Sequence, residues 1–566
     1  MLNFDERLTA YTLAGFLLIL IFSILFVRTL VSGQSLREVP TRKWAMLFFA
    51  LLLFMRLPFI AYNHELEVDE SQMLAQALSL SKHWVYWKYV DGLTQGPLTI
   101  YALIVPSWLG MPFDYTTARV MGFIVLTLTL LLTYLTFENL LGRKTALLVF
   151  APTALFYLLS QGFFSALYNE YLVLLILAFC FWVFSVIYNR VEPEPGWLFL
   201  LSFAAGTVPF AKLQGVPSAM LIVVFAALLV FRRSTSKFRD LIVLLSGGIA
   251  FPLIVLVLTL RFDAFDYFWK FYIIGNMEYS GGGTLLTKLL AFPDFLLHSG
   301  QFIFLLFSYL VLIFWTLTKI IRNGALAKLS SLLFFFALSS LLLAFYSVIK
   351  PGYYFQHYLQ FLIIPLGLVS GELFKTAVGN QKWESETIKK ASLGWLAVCI
   401  LPHFVMKTGS SLGYASTQNI RIASADLGLP LQETAAVTEI KKYIRPGENM
   451  TVWGWKPAYH LETGTAQGTA DVMIYRLVTP SPKQVNYVEK YVKDLEHSKP
   501  VVFVDEITYR SIWFSDPALY SHDKVPAVRD FVSKYYSYVA TVDGEKIYVR
   551  KDRLTPSQRK PALPEL

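Results

Sequence analysis

Charge is scarce in this 566-residue chain: 16% of its residues are charged, against ~25% in soluble globular proteins. Cysteine is nearly absent. The two present, Cys180 and Cys399, both lie inside apolar segments, so they read as small packing residues and imply no disulfide framework. The N-terminus, MLNFDERLTA, lacks a basic n-region, and the apolar run after it lacks a small-residue cleavage site. That run reads as a retained span rather than a cleaved signal. No internal repeat is visible, which weakens an inverted-repeat transporter. Acidic residues are fewer than basic ones, leaving a formal charge of +10. Much of the Lys and Arg falls in short loops between apolar runs, where it sets membrane orientation and is no signal for nucleic acid.

Apolar residues supply what charge does not, at 55% of the chain and a mean hydropathy of +0.51. Apolar runs lie near 9–31, 44–62, 116–137, 144–160, 169–188, 197–211, 213–231, 240–260, 299–319, 328–348, 357–375 and 391–407, about twelve candidate transmembrane helices. The run 97–109 is too short to cross and is expected at the interface. Arg37, Arg42 and Lys43 follow the first span. Arg143 and Lys144, Arg190, and Arg232, Arg233, Lys237 and Arg239 follow alternate later ones, as do Lys319, Arg322 and Lys328, and Lys375, Lys382, Lys389 and Lys390. All these loops share one side, which the positive-inside bias makes cytoplasmic. Loops 63–115 and 261–298 and both termini are then external.

From about 415 the composition changes. Helices are expected over 432–445, 484–497 and 525–535. Strands are expected over 449–454, 500–505, 536–541 and 545–550, the last two joined across Asp543-Gly544. Alternating helices and strands predict a small α/β domain. The expected organisation is a transmembrane domain over 1–410 and an extracytoplasmic α/β domain over 415–566, in which no catalytic motif is visible.

The residues able to carry chemistry cluster on the external side. Glu67-Val68-Asp69-Glu70 follows the second span. Asp69 either caps a helix DESQMLAQALSL, where an acid suits the dipole, or acts as a general base toward an acceptor hydroxyl or amine. The loop continues with His83, Trp84, Tyr86 and Trp87 and then Asp91 to Leu98, aromatics beside polar groups that suit a site facing both water and lipid. Glu170 ends the next external loop, where it is either a water-exposed helix start or an acid facing a cavity. Lys212, in the tight turn Lys212-Leu213-Gln214-Gly215, has no acid near it in sequence. It either snorkels or meets a lipid-linked phosphate. Lys350, Tyr353, Tyr354, His357 and Tyr358 form a later external turn offering cations, donors and stacking aromatics, or simply an interface belt. Carboxylates and cations from four external loops on one side fit group transfer from a phosphate-linked lipid.

This set resembles the C superfamily of glycosyltransferases, in the branch of protein O-mannosyltransferases and aminoarabinose transferases, over roughly residues 44–375. Asp69-Glu70 matches that branch's Asp-Glu pair in the first long external loop of the core. Glu170 matches the acid ending the next loop, Lys212 to Gly215 a Lys-x-x-Gly-like turn, and Tyr353 to Tyr358 its Tyr-rich turn. The chain departs in having an extra first span, Ser71, Gln72 and Met73 where the aminoarabinose branch has an Arg, and Glu170 where Asp is common. The resemblance implies a mainly α, polytopic fold and an inverting transfer from a polyprenyl-phosphate sugar to a glycan, lipid or protein acceptor. The membrane is implied to be a bacterial plasma membrane.

Within that reading Asp69 is the expected base, and Glu70 or Glu170 positions the acceptor. Lys212, with Lys350, His357, Tyr354 and Tyr358, is expected at the donor phosphate. The resemblance implies no particular cofactor, and His64, Glu67, Asp69 and Glu70 could instead hold a divalent metal. The rivals are a transporter or flippase of lipid-linked saccharides, which predicts acids at mid-membrane, and an inactive scaffold whose C-terminal domain binds a partner.

Overall fold

The computed structural model describes residues 7–31, 41–160, 162–278, 282–379, 390, 393–400 and 428–555. Arg37, Lys382, Lys389, the end of the apolar run 391–407 and the expected domain start at 415 lie outside these. The chain forms two compact units: Met1–Ala61, Gly122–Val255 and Tyr279–Leu427 make the first, and Tyr62–Met121, Leu256–Glu278 and Gly428–Leu566 the second.

The first unit is a bundle of apolar helices. Over the whole chain, eight helices among the described residues are long and apolar enough to cross a membrane. They are Lys43–Ala61, Tyr115–Leu141, Glu170–Asn189, Leu213–Arg233, Lys237–Arg261, Phe302–Arg322, Leu332–Ile349 and Gln356–Val378. The expected runs 144–160 and 197–211 form helices of 17 residues each, Arg143–Leu159 and Pro195–Ala211, interrupted by Pro152 and Pro209. The run 9–31 is the helix Arg7–Val31. Backbone groups in hydrocarbon must be satisfied within the segment, so apolar runs of this length become helices.

On Lys237–Arg261, Leu245, Leu253 and Val257 stand exposed, a face suited to lipid. Inward packing uses small residues. A Cβ on Gly367 would fall 2.3 Å from the Phe137 ring and one on Gly371 2.2 Å from Leu141. This Gly-xxx-Gly stripe therefore lets two backbones approach closely. The chain is an integral membrane protein.

The second unit is built on a five-stranded sheet of order β2-β1-β3-β5-β4, with β1 Asn449–Trp453, β2 Ala466–Gln467, β3 Val502–Asp505, β4 Tyr536–Val542 and β5 Glu545–Arg550. β1 is parallel to β2 and β3, and β5 is antiparallel to β3 and β4. Asp543 (φ 54°) and Gly544 (φ 91°) turn the hairpin, as an Asp-Gly pair favours. Side chains alternate across β3. Val502 and Val504 join one apolar cluster with Met450 and Ile547, and Phe503 joins the other with Trp453 and Tyr491. Burial on both faces explains the unbroken apolar reading of this strand.

The helix Val68–Lys82 belongs to the same unit. Gln72 Oε1 accepts from Trp455 Nε1 at 2.8 Å, and Ser79 Oγ accepts from Gln467 N at 2.9 Å. Asp91 pairs with Arg476 at 3.1 Å. The first long loop and the C-terminal region thus share one compact unit.

Candidate active site

In the second unit, the acidic turn is held by two clasps. Asn63 donates to Asp114 Oδ2 at 3.2 Å and accepts from Tyr115 N at 3.1 Å. Arg119 then reaches back across the turn. Its Nη2 donates to the His64 carbonyl at 2.6 Å and its Nη1 to that of Tyr62. The same guanidinium grips Glu70, with Nε to Oε1 at 3.0 Å and Nη2 to Oε2 at 2.6 Å, the two side chains being 1% and 0% exposed. Glu70 Oε2 also accepts from Leu66 N at 3.3 Å. A carboxylate held this fully has little capacity to take a proton from an acceptor. Its geometry is that of a clip which closes residues 62–70 onto the start of Tyr115–Leu141.

Asp69 does not cap its helix. Glu67 occupies the N-cap position, without a side-chain capping bond, and Asp69 and Glu70 lie in the first turn. The helix therefore begins two residues earlier than the capping alternative placed it, and the dipole still favours anions in its first turn. Asp69 is half-buried. Beside it the Glu67 carboxyl is pushed up to about 7, by burial first and then by the charges of Asp69, Glu70 and Glu65. Ser71 Oγ donates to Glu65 and lies 2.8 Å from Tyr115 Oη. The alternative metal set does not form. Among the described residues no three His, Cys, Asp or Glu side chains gather closely enough to hold an ion, and Glu70 is committed to Arg119. Sequence reasoning missed Arg119, whose signal was a lone arginine inside an otherwise apolar run.

In the first unit, three distant segments meet. Glu170 opens the helix Glu170–Asn189 and is fully buried. Lys212 ends Pro195–Ala211. Its ammonium pairs with Glu170, donates to Asn169 Oδ1 at 2.6 Å and lies 4.7 Å above the Tyr358 ring. His357 Nε2 stands 3.7 Å from Glu170 Oε1, with the imidazole stacked on Tyr168 at 4.5 Å. Gly215 makes the approach possible, since a Cβ there would fall 2.6 Å from Val173 on the Glu170 helix. Gln214 fixes the turn by donating to the Ser347 carbonyl at 2.7 Å. Lys212 therefore does have an acidic partner, 42 residues away in sequence, which corrects the expectation drawn from its local surroundings.

Lys350 and Tyr354 form a different group within this unit. The Lys350 carbonyl accepts from Lys288 Nζ at 2.9 Å, and Tyr354 Oη donates to the Lys288 carbonyl at 2.6 Å. Partial desolvation and the neighbouring Lys288 charge push the Lys350 ammonium down. Of the residues expected at the phosphate, Lys212, His357 and Tyr358 are thus gathered around Glu170, whereas the contacts of Lys350 and Tyr354 run to Lys288.

No family model matches the sequence, and no curated protein sequence matches it. Solved structures do match. ArnT from Cupriavidus metallidurans bound to undecaprenyl phosphate covers 92% of this chain and 100% of its own, at 14% identity and a TM-score of 0.53. The same protein in the apo state gives the same coverage and identity at 0.52. The chain therefore shares the polytopic membrane fold of the ArnT structures.

Proposed function

We propose that the protein is a glycosyltransferase that moves a sugar from a polyprenyl-phosphate carrier to an acceptor on the extracytoplasmic side, with inversion at the anomeric carbon. One observation supports this most. In the helical unit, Glu170, Lys212 and His357 with Tyr358 come from three separate segments and assemble a buried acid, a cation and an imidazole at helix ends. A transporter site would place its acids at mid-membrane, whereas Glu170 is the first residue of its helix. The ArnT structure that shares this fold holds undecaprenyl phosphate, a ligand of the same chemical class as the proposed carrier.

The chemistry divides between an acid–base step and a leaving-group step. An acceptor O–H or N–H gives its proton to a carboxylate while the acceptor atom bonds to the anomeric carbon. The bond from that carbon to the phosphate oxygen breaks, and the electron pair leaves with the lipid phosphate. Asp69 is the proposed base, with Glu67 beside it as a group poised near neutrality. Glu70 keeps the turn in place. Lys212, backed by His357 and Tyr358, is proposed to stabilise charge that develops on the departing phosphate.

The test is single-turnover transfer from a polyprenyl-phosphate sugar by the full chain in nanodiscs. Asp69→Asn keeps the shape but removes the base, and is expected to cut transfer by at least ~10² with the melting temperature near wild type. Retention of most of the rate would remove Asp69 from the chemistry. An inactive wild type across a panel of lipid-phosphate sugars would count against the transferase reading itself.

A further inference from the structure

The second half of the helix Thr41–Ala61 carries one charged residue, Arg56, and it is 4% exposed. Its Nη1 donates to the Phe164 carbonyl at 2.7 Å. Its Nε and Nη2 are buried with no hydrogen-bond partner, and no carboxylate among the described residues pairs with it. A guanidinium cannot escape by losing its proton. A buried, uncompensated cation in an apolar bundle is among the least favourable arrangements a membrane helix can hold, and such residues mark functional sites by default.

Arg56 is also connected to the buried cluster around Glu170. Tyr171 Oη donates to the same Phe164 carbonyl at 2.8 Å. On the His357 side, Tyr157 donates to Gln360 Oε1 at 2.8 Å. Gln360 donates to the His357 carbonyl at 3.3 Å, and His357 faces Glu170. Along this polar chain Lys212 and Glu170 cancel each other, so Arg56 leaves one positive charge unanswered. Its two unpartnered donors, Nε and Nη2, form one edge of the guanidinium, the fork that takes two oxygens of a single phosphate or carboxylate. Its depth selects between those. Arg56 lies within the last turns before Ala61, roughly 8 Å from the helix end at 1.5 Å per residue, near the level where lipid phosphates meet hydrocarbon.

We propose that Arg56 joins Lys212 in receiving the phosphate of the lipid carrier, and does so through its Nε–Nη2 edge. A phosphodiester carries one negative charge and matches the one uncompensated cation, while Lys212 is already answered by Glu170. The proposal rests on the donor reading above only in taking the phosphate to be the carrier's.

The test uses delipidated full-length protein in detergent, titrated with undecaprenyl phosphate, undecaprenol, phosphatidylglycerol and inorganic phosphate, with melting temperatures alongside. Wild type is expected to bind undecaprenyl phosphate at least tenfold tighter than undecaprenol. Arg56→Gln should lose that tenfold, and Arg56→Lys, which keeps the charge without the fork, should recover part of it. Without ligand, Arg56→Gln should melt no lower than wild type, because the unanswered charge is gone, and undecaprenyl phosphate should stabilise only wild type. Equal binding by wild type and Arg56→Gln would overturn the proposal, and transfer activity retained in that variant would leave the donor reading standing. A ligand-free melting temperature below wild type with an unchanged ligand shift would make Arg56 a carbonyl clip only. Arg56-dependent binding of phosphatidylglycerol or inorganic phosphate, without binding of undecaprenyl phosphate, would keep the anion site and count against the donor reading. Should Arg56→Gln not purify, Arg56→Lys decides: a tenfold loss supports the proposal and no loss overturns it.

Discussion

Replacing Glu70 by glutamine separates a structural acid from a reacting one. The Glu70–Arg119 pair makes two charge-assisted bonds, at 3.0 and 2.6 Å, between side chains that are 0% and 1% exposed. Two unit charges roughly 4 Å apart attract by about 4 kcal/mol at an effective dielectric near 20. Glutamine keeps one acceptor oxygen, which returns about 1 kcal/mol, and leaves Arg119 buried without a counter-charge. The net expectation is a loss of ~3 kcal/mol, at the low end for breaking a buried pair. Arg119→Gln should cost a similar amount by stranding Glu70. In the double variant two amides can bond to each other, so the two losses should fall short of additive by at least ~2 kcal/mol. The readout is thermal unfolding in detergent, with proteolysis of the turn 62–70 and single-turnover transfer measured in parallel. Glu70→Gln should lose stability and transfer together, and the double variant should recover part of both. A Glu70→Gln protein that melts with wild type yet transfers nothing would refute the clip and make Glu70 a chemical participant.

Lys212→Ala strands a fully buried Glu170 and should destabilise by ~3–5 kcal/mol, with Lys212→Ala/Glu170→Gln recovering most of it; a freely tolerated Lys212→Ala in thermal melts would mean that the pair does not persist in the membrane. Glu67 is raised from 4.5 to about 7, so between those values the folded state binds more protons than the unfolded one. Its contribution to stability is present below pH ~4.5 and is lost as pH rises through ~7, so wild type should lose melting temperature between pH 5 and 8 more steeply than Glu67→Gln, and parallel profiles would count against the shift. Sidedness is tested by Ser81→Cys, an exposed position in a background whose two native thiols, Cys180 and Cys399, are buried. It should react with an impermeant thiol reagent on intact cells, and labelling only after membrane disruption would reverse the topology.

The parts of this fold that were legible in the sequence are those whose cause is local. The hairpin across Asp543-Gly544 could be read because the turn demands positive φ at both positions, which these two residues tolerate. The strands at 449–453 and 502–505 carry their own apolar signal, whereas β2 is two residues long and is defined only by its neighbour. The expected helix over 432–445 shrinks to Ala435–Ile440, capped by Thr434 and cut short ahead of Pro446-Gly447. Local rules could not choose between Glu67 and Asp69 as the cap, because an acid suits the dipole at either position.

Charge balance is where sequence reading stopped, since the partners of buried ions are set by tertiary contacts. Glu70 finds Arg119 49 residues on, and Glu170 finds Lys212 42 residues on. The Lys/Arg bias could place Glu170 and Lys212 on one side of the membrane but could not say that each neutralises the other. That distinction governs function. A paired buried ion has its desolvation partly offset within the protein and gains less from a charged ligand than an unpaired one, whose desolvation is offset only when the ligand arrives. The residues most conspicuous in sequence, Glu70 and Lys212, are the paired ones. Arg56, inconspicuous inside an apolar run, has the larger electrostatic incentive to bind. If binding energy is to favour the transition state, the useful cation is the one whose demand grows as the phosphate gains charge on bond cleavage, and an unanswered guanidinium meets that condition better than a lysine already held by a glutamate.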